Sequence, residues 1–344
     1  MKILSIDPGL RKTGFAVIER EEGQDLIKAL TFGVIRNPQK ALQSSCLVNI
    51  RNELNTVIRK YEPEECAVES VIYVQNYKTA ITMGAARAAA RTGTIFCLSS
   101  IATTTIEEVA KASEGPKIFQ IYVLKDRGLS QEYIQRCKDA NYDALCLTVD
   151  VPSNGKRERD LVTGMTVPPK LGLSGYMNVM KHIDWSFNYL THPPTPSMVN
   201  IEHKLPKGSS NISVMDFMNT QFDRTVTWKD AAWMIDQWDK PFAIKGILSV
   251  EDAKMAVEVG ASAVMVSNHG GRQMDGCPAP IEVIGDIVDA VGDKLEVILD
   301  GGIRRGTHIL KALAMGAKAC MGGRAYLYGL AAGGEEGAYS SLKL

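Results

Sequence analysis

The sequence predicts an α/β protein of the (β/α)8 barrel type, preceded by a smaller module of mixed strands. After residue 90, apolar strand-like segments alternate with helix-period segments in regular order. Those strands are apolar throughout, as expected of a parallel sheet covered by helices, and polar residues recur at their carboxyl ends. Composition agrees. With 45% hydrophobic and 23% charged residues the 344-residue chain is not disordered, and no apolar run approaches the ~18 residues of a membrane span. Lys plus Arg number 39 and Asp plus Glu 39, so bulk charge argues for neither a nucleic acid nor an acidic membrane as partner. Seven scattered cysteines without a C-x-x-C pair point to buried thiols in a reducing, cytoplasmic setting.

From the amino terminus, residues 2–6 form a compact apolar strand ending in the Asp7-Pro8-Gly9 turn signal. Residues 14–20 and 27–35 read as partners in an antiparallel meander. Residues 41–61 carry a helical apolar stripe of Leu42, Leu47, Ile50, Leu54, Val57 and Ile58, and residues 66–71 return to a strand. An alanine-rich helix is expected over 77–91. Strands follow at 94–98, 118–122, 144–149, 242–245, 263–267, 296–299 and 319–321, with amphipathic helices at 106–111, 131–140, 250–259, 280–291 and 307–315. That is seven strands, one short of a closed barrel. Residues 154–223, rich in Pro, Ser, Asn and Met, break the alternation and read as a long functional loop following a strand. The expected domains are 1–90 and 91–344.

In parallel barrels, catalytic groups gather at the carboxyl ends of the strands. Here those positions hold Ser99 and Ser100, Gln120 and Tyr122, Thr148 and Asp150, Lys245, residues 267–273, residues 300–304 and residues 322–324. Gly301, Gly302, Gly322 and Gly323 with Arg304 and Arg324 suit a phosphate, because bare backbone approaches closely and arginine supplies a fork of donors. His269 is a candidate general base near neutral pH, with Asp150 at another strand end to orient it. Arg272 can hold a carboxylate bidentately.

Residues 94–337 resemble the FMN-dependent α-hydroxy acid dehydrogenases and oxidases, the family of lactate dehydrogenase, glycolate oxidase and mandelate dehydrogenase. The runs that carry the likeness include LTVDVPSNGKRERD, IKGILSVEDA, VSNHGGRQMDG, LDGGIRRGTHILKALAMGA and MGGRAYLYGLAAGG. The resemblance implies FMN and a small 2-hydroxy acid oxidised to a 2-oxo acid, with the electron acceptor open and a homo-oligomer, a tetramer by the family's habit. It also implies roles: His269 as base, Asp150 stabilising the imidazolium, Arg157 and Arg272 on the carboxylate, and Tyr122 on the substrate oxygen. Lys245 would face the flavin with Ser267 beside it, Ser99, Gln120 and Thr148 would touch the ring system, and Asp300 the ribityl chain. Gly302, Arg304, Gly323 and Arg324 would hold the phosphate.

Residues 2–90 instead resemble the amino-terminal part of RuvC-type Holliday-junction resolvases, which have a ribonuclease-H-like fold. The carriers are ILSIDPGLRKTGFAVIE and PEECAVESVIYVQNYKTAITMGAARA. That likeness implies metal-binding carboxylates at Asp7 and Glu69, with Mg2+ and DNA as an alternative chemistry. The two further carboxylates of that family have no counterpart here. The chain reads as a fusion, either an active oxidoreductase or an inactive hybrid. The barrel-family first strand and a substrate-binding tyrosine are lacking, and its closing helices are expected to be cut short. Residues 66–70 are expected to stand in for the absent strand, pointing Glu69 toward the flavin end.

Overall fold

The computed structural model describes residues 2–7, 12–20, 27–38, 41, 43–68, 77–151, 155, 157–164, 172–181, 199–204 and 221–343. Contacts divide the chain into two compact units, Met1–Gln75 and Asn76–Leu344.

In the first unit, strands β1 (Lys2–Asp7), β2 (Lys12–Arg20), β3 (Ile27–Arg36) and β4 (Glu65–Val68) form one sheet in the order β3-β2-β1-β4. The apolar β1 pairs antiparallel with β2, Lys2 opposite Glu19 and Asp7 opposite Gly14. Helix α1 (Gln43–Tyr61) completes the unit, whose buried side chains include Leu4, Val17, Ile35 and Cys46. The expected transfer of residues 66–70 to the barrel is corrected here: β4 runs parallel to β1, Ile3 opposite Glu65 and Ile6 opposite Val68. The free edge of β1 lies next to it in the same meander, and pairing there closes only a short crossover through α1. Glu69 and Ser70 lie outside the described residues.

The second unit begins with α2 (Tyr77–Arg91), so the helix expected to end the amino-terminal module packs with the elements on its carboxyl side. Next come β5 (Phe96–Ser99), α3 (Ile106–Ala112), β6 (Lys117–Tyr122), α4 (Arg127–Asp139) and β7 (Ala144–Thr148). Within the expected loop lie two helices, α5 (Glu158–Thr163) and α6 (Leu173–Lys181), and a short 3-10 turn, Glu202–Lys204. The alternation resumes with α7 (Trp228–Gln237), β8 (Phe242–Ile247), α8 (Val250–Glu258), β9 (Ala263–Val266), α9 (Pro280–Val291), β10 (Glu296–Asp300), α10 (Gly306–Ala314) and β11 (Ala319–Met321). All seven strands are parallel, in the order β11-β10-β9-β8-β7-β6-β5, with β5 and β11 at the edges among the described residues.

The two-residue period of a strand sorts the side chains into two faces. Leu98, Phe119, Ile121, Leu145, Leu147, Ile244, Val264, Val266, Val297 and Leu299 are buried in the main core against the helices. The alternate residues form a second, small cluster of Cys146, Ala243, Ala263 and Met265, flanked by Ile118, Ile298 and Met321. One period further along the same strands that face turns polar. Gln120, Thr148, Lys245, Ser267 and Asp300 therefore stand as a layer above an apolar floor.

The chain closes with α11 (Arg324–Lys343), where the shortened ending was expected. It is two helical arms turned at Gly333 and Gly334, the latter at φ 59°. A methyl group on Gly329 would come within 2.3 Å of the Gly337 carbonyl oxygen, so only glycine lets the arms meet. The second arm grips α2 through Arg87–Glu335 (2.6 Å) and through Arg91, which pairs with Glu336 and lies 4.1 Å from the Tyr339 ring centroid.

Candidate active site

The polar layer is organised by one buried cation. Lys245 Nζ lies 3.4 Å from Asp150 Oδ2, 3.3 Å from Asp300 Oδ2 and 3.0 Å from Ser267 Oγ. Burial alone would drive the ammonium toward its neutral form, but the Asp150 and Asp300 carboxylates outweigh that and hold its pKa above the ordinary lysine value. Ser267, wholly buried, has every hydrogen-bonding site engaged: it donates to Asp300 Oδ2 (2.6 Å) and accepts from Lys245 and from the His269 amide (3.0 Å). Local backbone makes this convergence fit. The β8–β9 register shifts between Lys245 and Ile247, and Gly246 sits at φ 108°. A Cβ there would lie 2.6 Å from Asp150 Cβ, so glycine is what brings Asp150 against Lys245.

Asp150 serves two partners at once. Its other oxygen, Oδ1, is 2.8 Å from His269 Nδ1. With the Nδ1 proton donated to that carboxylate, Nε2 keeps its lone pair, as a base requires. His269 is a non-glycine residue at φ 56°, and Gly270 and Gly271 continue in the left-handed region. Such a conformation costs about 1–3 kcal/mol and persists only where its surroundings impose it; here the Ser267 and Asp150 contacts do so.

A second hydrogen-bonded chain crosses three adjacent strands. Ser99 Oγ donates to Gln120 Oε1 and Gln120 Nε2 donates to Thr148 Oγ1, each at 2.9 Å. Burial, reinforced by the charge of Asp150, raises the Tyr122 pKa, while Arg157 acts the other way. Tyr122 therefore remains a hydrogen-bond donor at neutral pH, and Arg157 is within electrostatic reach of it. The Gly155 amide donates to Gln273 Oε1 (3.0 Å), and the Gly155 backbone packs on the Arg272 carbonyl. Two segments far apart in sequence thus bring the Arg157 and Arg272 loops together.

At the far strand ends Gly301 and Gly302 adopt φ 109° and 73°. A Cβ added at Gly302, Gly322 or Gly323 would meet nothing within 4 Å, so this backbone is open to a ligand. Arg304 is exposed beside it, and Arg324 Nη2 donates to the Gly270 carbonyl (3.3 Å), joining this end to the histidine loop. Open glycine backbone and two arginines fit the phosphate of a flavin mononucleotide, and a buried lysine fits the negative charge its ring would carry on reduction.

The sequence reading missed three supporting groups. Phe222 meets Tyr122 edge-on, ring centroids 5.3 Å apart. Arg127 binds Asp223 (2.6 Å) and Asp230 (2.8 Å), tying the end of the long insertion to α7. Asn200, wholly buried, donates to the Thr104 carbonyl and accepts from Ile106 N and Arg136. No motif announces a lone Asn or Phe inside a polar stretch. A cavity of about 340 Å3 opens behind Tyr122 and Thr148, walled by Val149, Phe222 and Trp228. Glu69 and the Asp7 side chain lie outside the described part of the structure, and among the described residues no group of three or more His, Cys, Asp or Glu could hold a metal.

A parallel β/α sheet whose strand ends gather a buried lysine, a histidine–aspartate pair and open glycine turns is the arrangement expected of a barrel enzyme, with its site at the carboxyl rim of the strands. The FMN-dependent dehydrogenase family model matches residues 70–344, and the chain belongs to that family. The crossover junction endodeoxyribonuclease RuvC model matches residues 3–120, overlapping the first match. Relatives include L-lactate dehydrogenase of Caulobacter sp. (strain K31), 40% identical over 76% of this chain and 68% of that protein. That of Caulobacter vibrioides is 41% identical over the same shares. Among solved structures, a monotopic membrane protein, (S)-mandelate dehydrogenase, is 36% identical with a TM-score of 0.71, over 78% of this chain and 69% of that one.

Proposed function

We propose that the chain oxidises a small 2-hydroxy acid to the corresponding 2-oxo acid. The observation that carries this reading is the His269–Asp150–Lys245 constellation at 2.8 and 3.4 Å on one rim of the sheet. When bound, FMN supplies the two-electron acceptor. His269 accepts a substrate proton at Nε2, and Asp150, hydrogen-bonded to Nδ1, stabilises the imidazolium that results. Arg272 and Arg157 bind the carboxylate, and Tyr122 donates to the substrate oxygen. Lys245 keeps a fixed positive charge facing the ring system, with Ser267 beside it, where it favours negative charge collecting there. Ser99, Gln120 and Thr148 line the ring, Asp300 takes the ribityl chain, and Gly302, Arg304, Gly323 and Arg324 take the phosphate. Anaerobic addition of L-lactate or (S)-mandelate to the FMN-loaded chain should bleach its visible absorbance and yield the 2-oxo acid. Absorbance unchanged by either acid would overturn the proposal.

The resolvase match over residues 3–120 favours a second reading, a junction nuclease acting through Asp7 and Glu69 with Mg2+. Cleavage of a four-way DNA junction that disappears in Asp7→Asn would support it; intact junctions would remove it. Residues 1–90 and 91–344 are proposed as the corresponding functional modules. We place the chain in the cytoplasm as a homo-oligomer. No helix among the described residues is long and apolar enough to cross a membrane, yet one similar structure is a monotopic membrane protein. Fractionation of cells expressing the chain separates the two locations.

A further inference from the structure

Three helices of the second unit start alike. The third residue of the helix is a carboxylate that turns back to accept from the amide three residues before it: Glu108 to Thr105 N (2.9 Å), Asp230 to Thr227 N (2.8 Å) and Glu282 to Ala279 N (2.9 Å). Helix α10 carries His308 at that place, and its imidazole reaches one residue further back. Nδ1 lies 3.3 Å from the Arg304 amide nitrogen and 3.1 Å from the Gly302 carbonyl oxygen. Both contacts fall within the open loop after β10, where Gly302 is left-handed and its α-carbon faces empty space.

We infer that His308 is a positioning residue for the phosphate end of the flavin site, fixing the 302–304 loop through the Arg304 amide or the Gly302 carbonyl, according to whether Nδ1 carries a proton. The inference rests on the proposed assignment of Gly302 and Arg304 to the phosphate. The chemistry of Nδ1 sets the details. With a lone pair it accepts from the Arg304 N–H; with a proton it donates to the Gly302 carbonyl; a single nitrogen does one of these at a time. Either way it ties one end of the three-residue turn to the first turn of α10 and narrows the conformations open to that turn. A loop already held in its binding shape loses less freedom when the ligand arrives, so the anchor acts on affinity without touching the phosphate.

The geometry also dictates the informative variants. An asparagine carries an acceptor oxygen and a donor nitrogen at its δ positions, either of which can take the place of Nδ1, so His308→Asn keeps one contact, to the Arg304 amide or to the Gly302 carbonyl, as the imidazole does. His308→Ala leaves both to water. Flavin fluorescence quenching measures affinity directly, with FMN and with riboflavin, which lacks the phosphate. His308→Ala should weaken FMN by about threefold to tenfold, the worth of one ordinary hydrogen bond. Riboflavin affinity should stay at the wild-type value, and His308→Asn should restore FMN affinity. Equal FMN affinity in wild type and His308→Ala overturns the inference, as does a loss shared equally by riboflavin or one that asparagine does not repair. Wild-type chain that binds neither flavin would overturn the cofactor reading itself, a result distinct from those three.

Discussion

Replacing Lys245 by methionine is the sharpest perturbation of the polar layer, since it removes the charge and keeps the aliphatic stem. The ammonium sits 3.4 and 3.3 Å from two carboxylates, and at an effective dielectric near 20 each attraction is worth about 5 kcal/mol. Desolvation of the buried groups offsets much of that. The loss in the variant is set by what it leaves behind, two largely buried carboxylates stripped of their shared cation, at a typical cost of about 3–5 kcal/mol. For a unit of this size that lowers the melting midpoint by roughly 6–20 °C. All four tryptophans, Trp185, Trp228, Trp233 and Trp238, lie in the second unit, so tryptophan fluorescence reports its unfolding alone. Adding Asp300→Asn to Lys245→Met should recover part of the loss, because one stranded charge disappears while Ser267 keeps an acceptor. The pH dependence has a definite sign. The folded lysine pKa is raised, so its contribution is complete below the unfolded value of about 10.4 and is lost only as pH rises through the higher folded value. A Lys245→Met chain that melts with the wild type, or a loss that Asp300→Asn leaves untouched, would refute the ion-pair account.

The same geometry sets three other outcomes. His269→Gln should lower turnover of the hydroxy acid by about a hundredfold or more, the usual worth of a general base, while FMN affinity measured by fluorescence stays near wild type. Arg272→Met should raise the KM for the carboxylate substrate far more than it changes the binding of FMN, read from steady-state kinetics beside a flavin titration. Asp223 accepts from Thr225 and pairs with Arg127, and these hold its pKa down to about 2. Its stabilisation is present above the unfolded value of about 3.9 and fades as pH falls toward 2, so Asp223→Asn should flatten acid unfolding curves across that window.

The sheet was legible because short apolar runs such as 118–122 alternate with helix-period segments and end in polar residues, the pattern of a parallel sheet covered by helices. The residue types of the site were legible for the same reason, each lying at a strand end. The pairing of Asp150 with His269 was expected, but nothing in the sequence tells that the same carboxylate also holds Lys245, or that His269 takes a left-handed backbone. Two elements misled in opposite directions. The closing helices were expected to be cut short, yet α11 runs over Arg324–Lys343, with Gly329 and Gly337 permitting the close contact of its arms and Gly333 and Gly334 making its turn. The short apolar run in β4 suited either sheet, and the partner it took was the adjacent edge of β1. The helix Trp228–Gln237 was hidden by the irregular stretch before it, although Ala231 and Met234 mark its buried face.

Equilibrium dialysis of the purified chain against FMN bears most directly on whether seven strands suffice to build this site. One flavin retained per folded chain, released when Lys245 is replaced by methionine, is the outcome expected. A folded chain that retains none would contradict it.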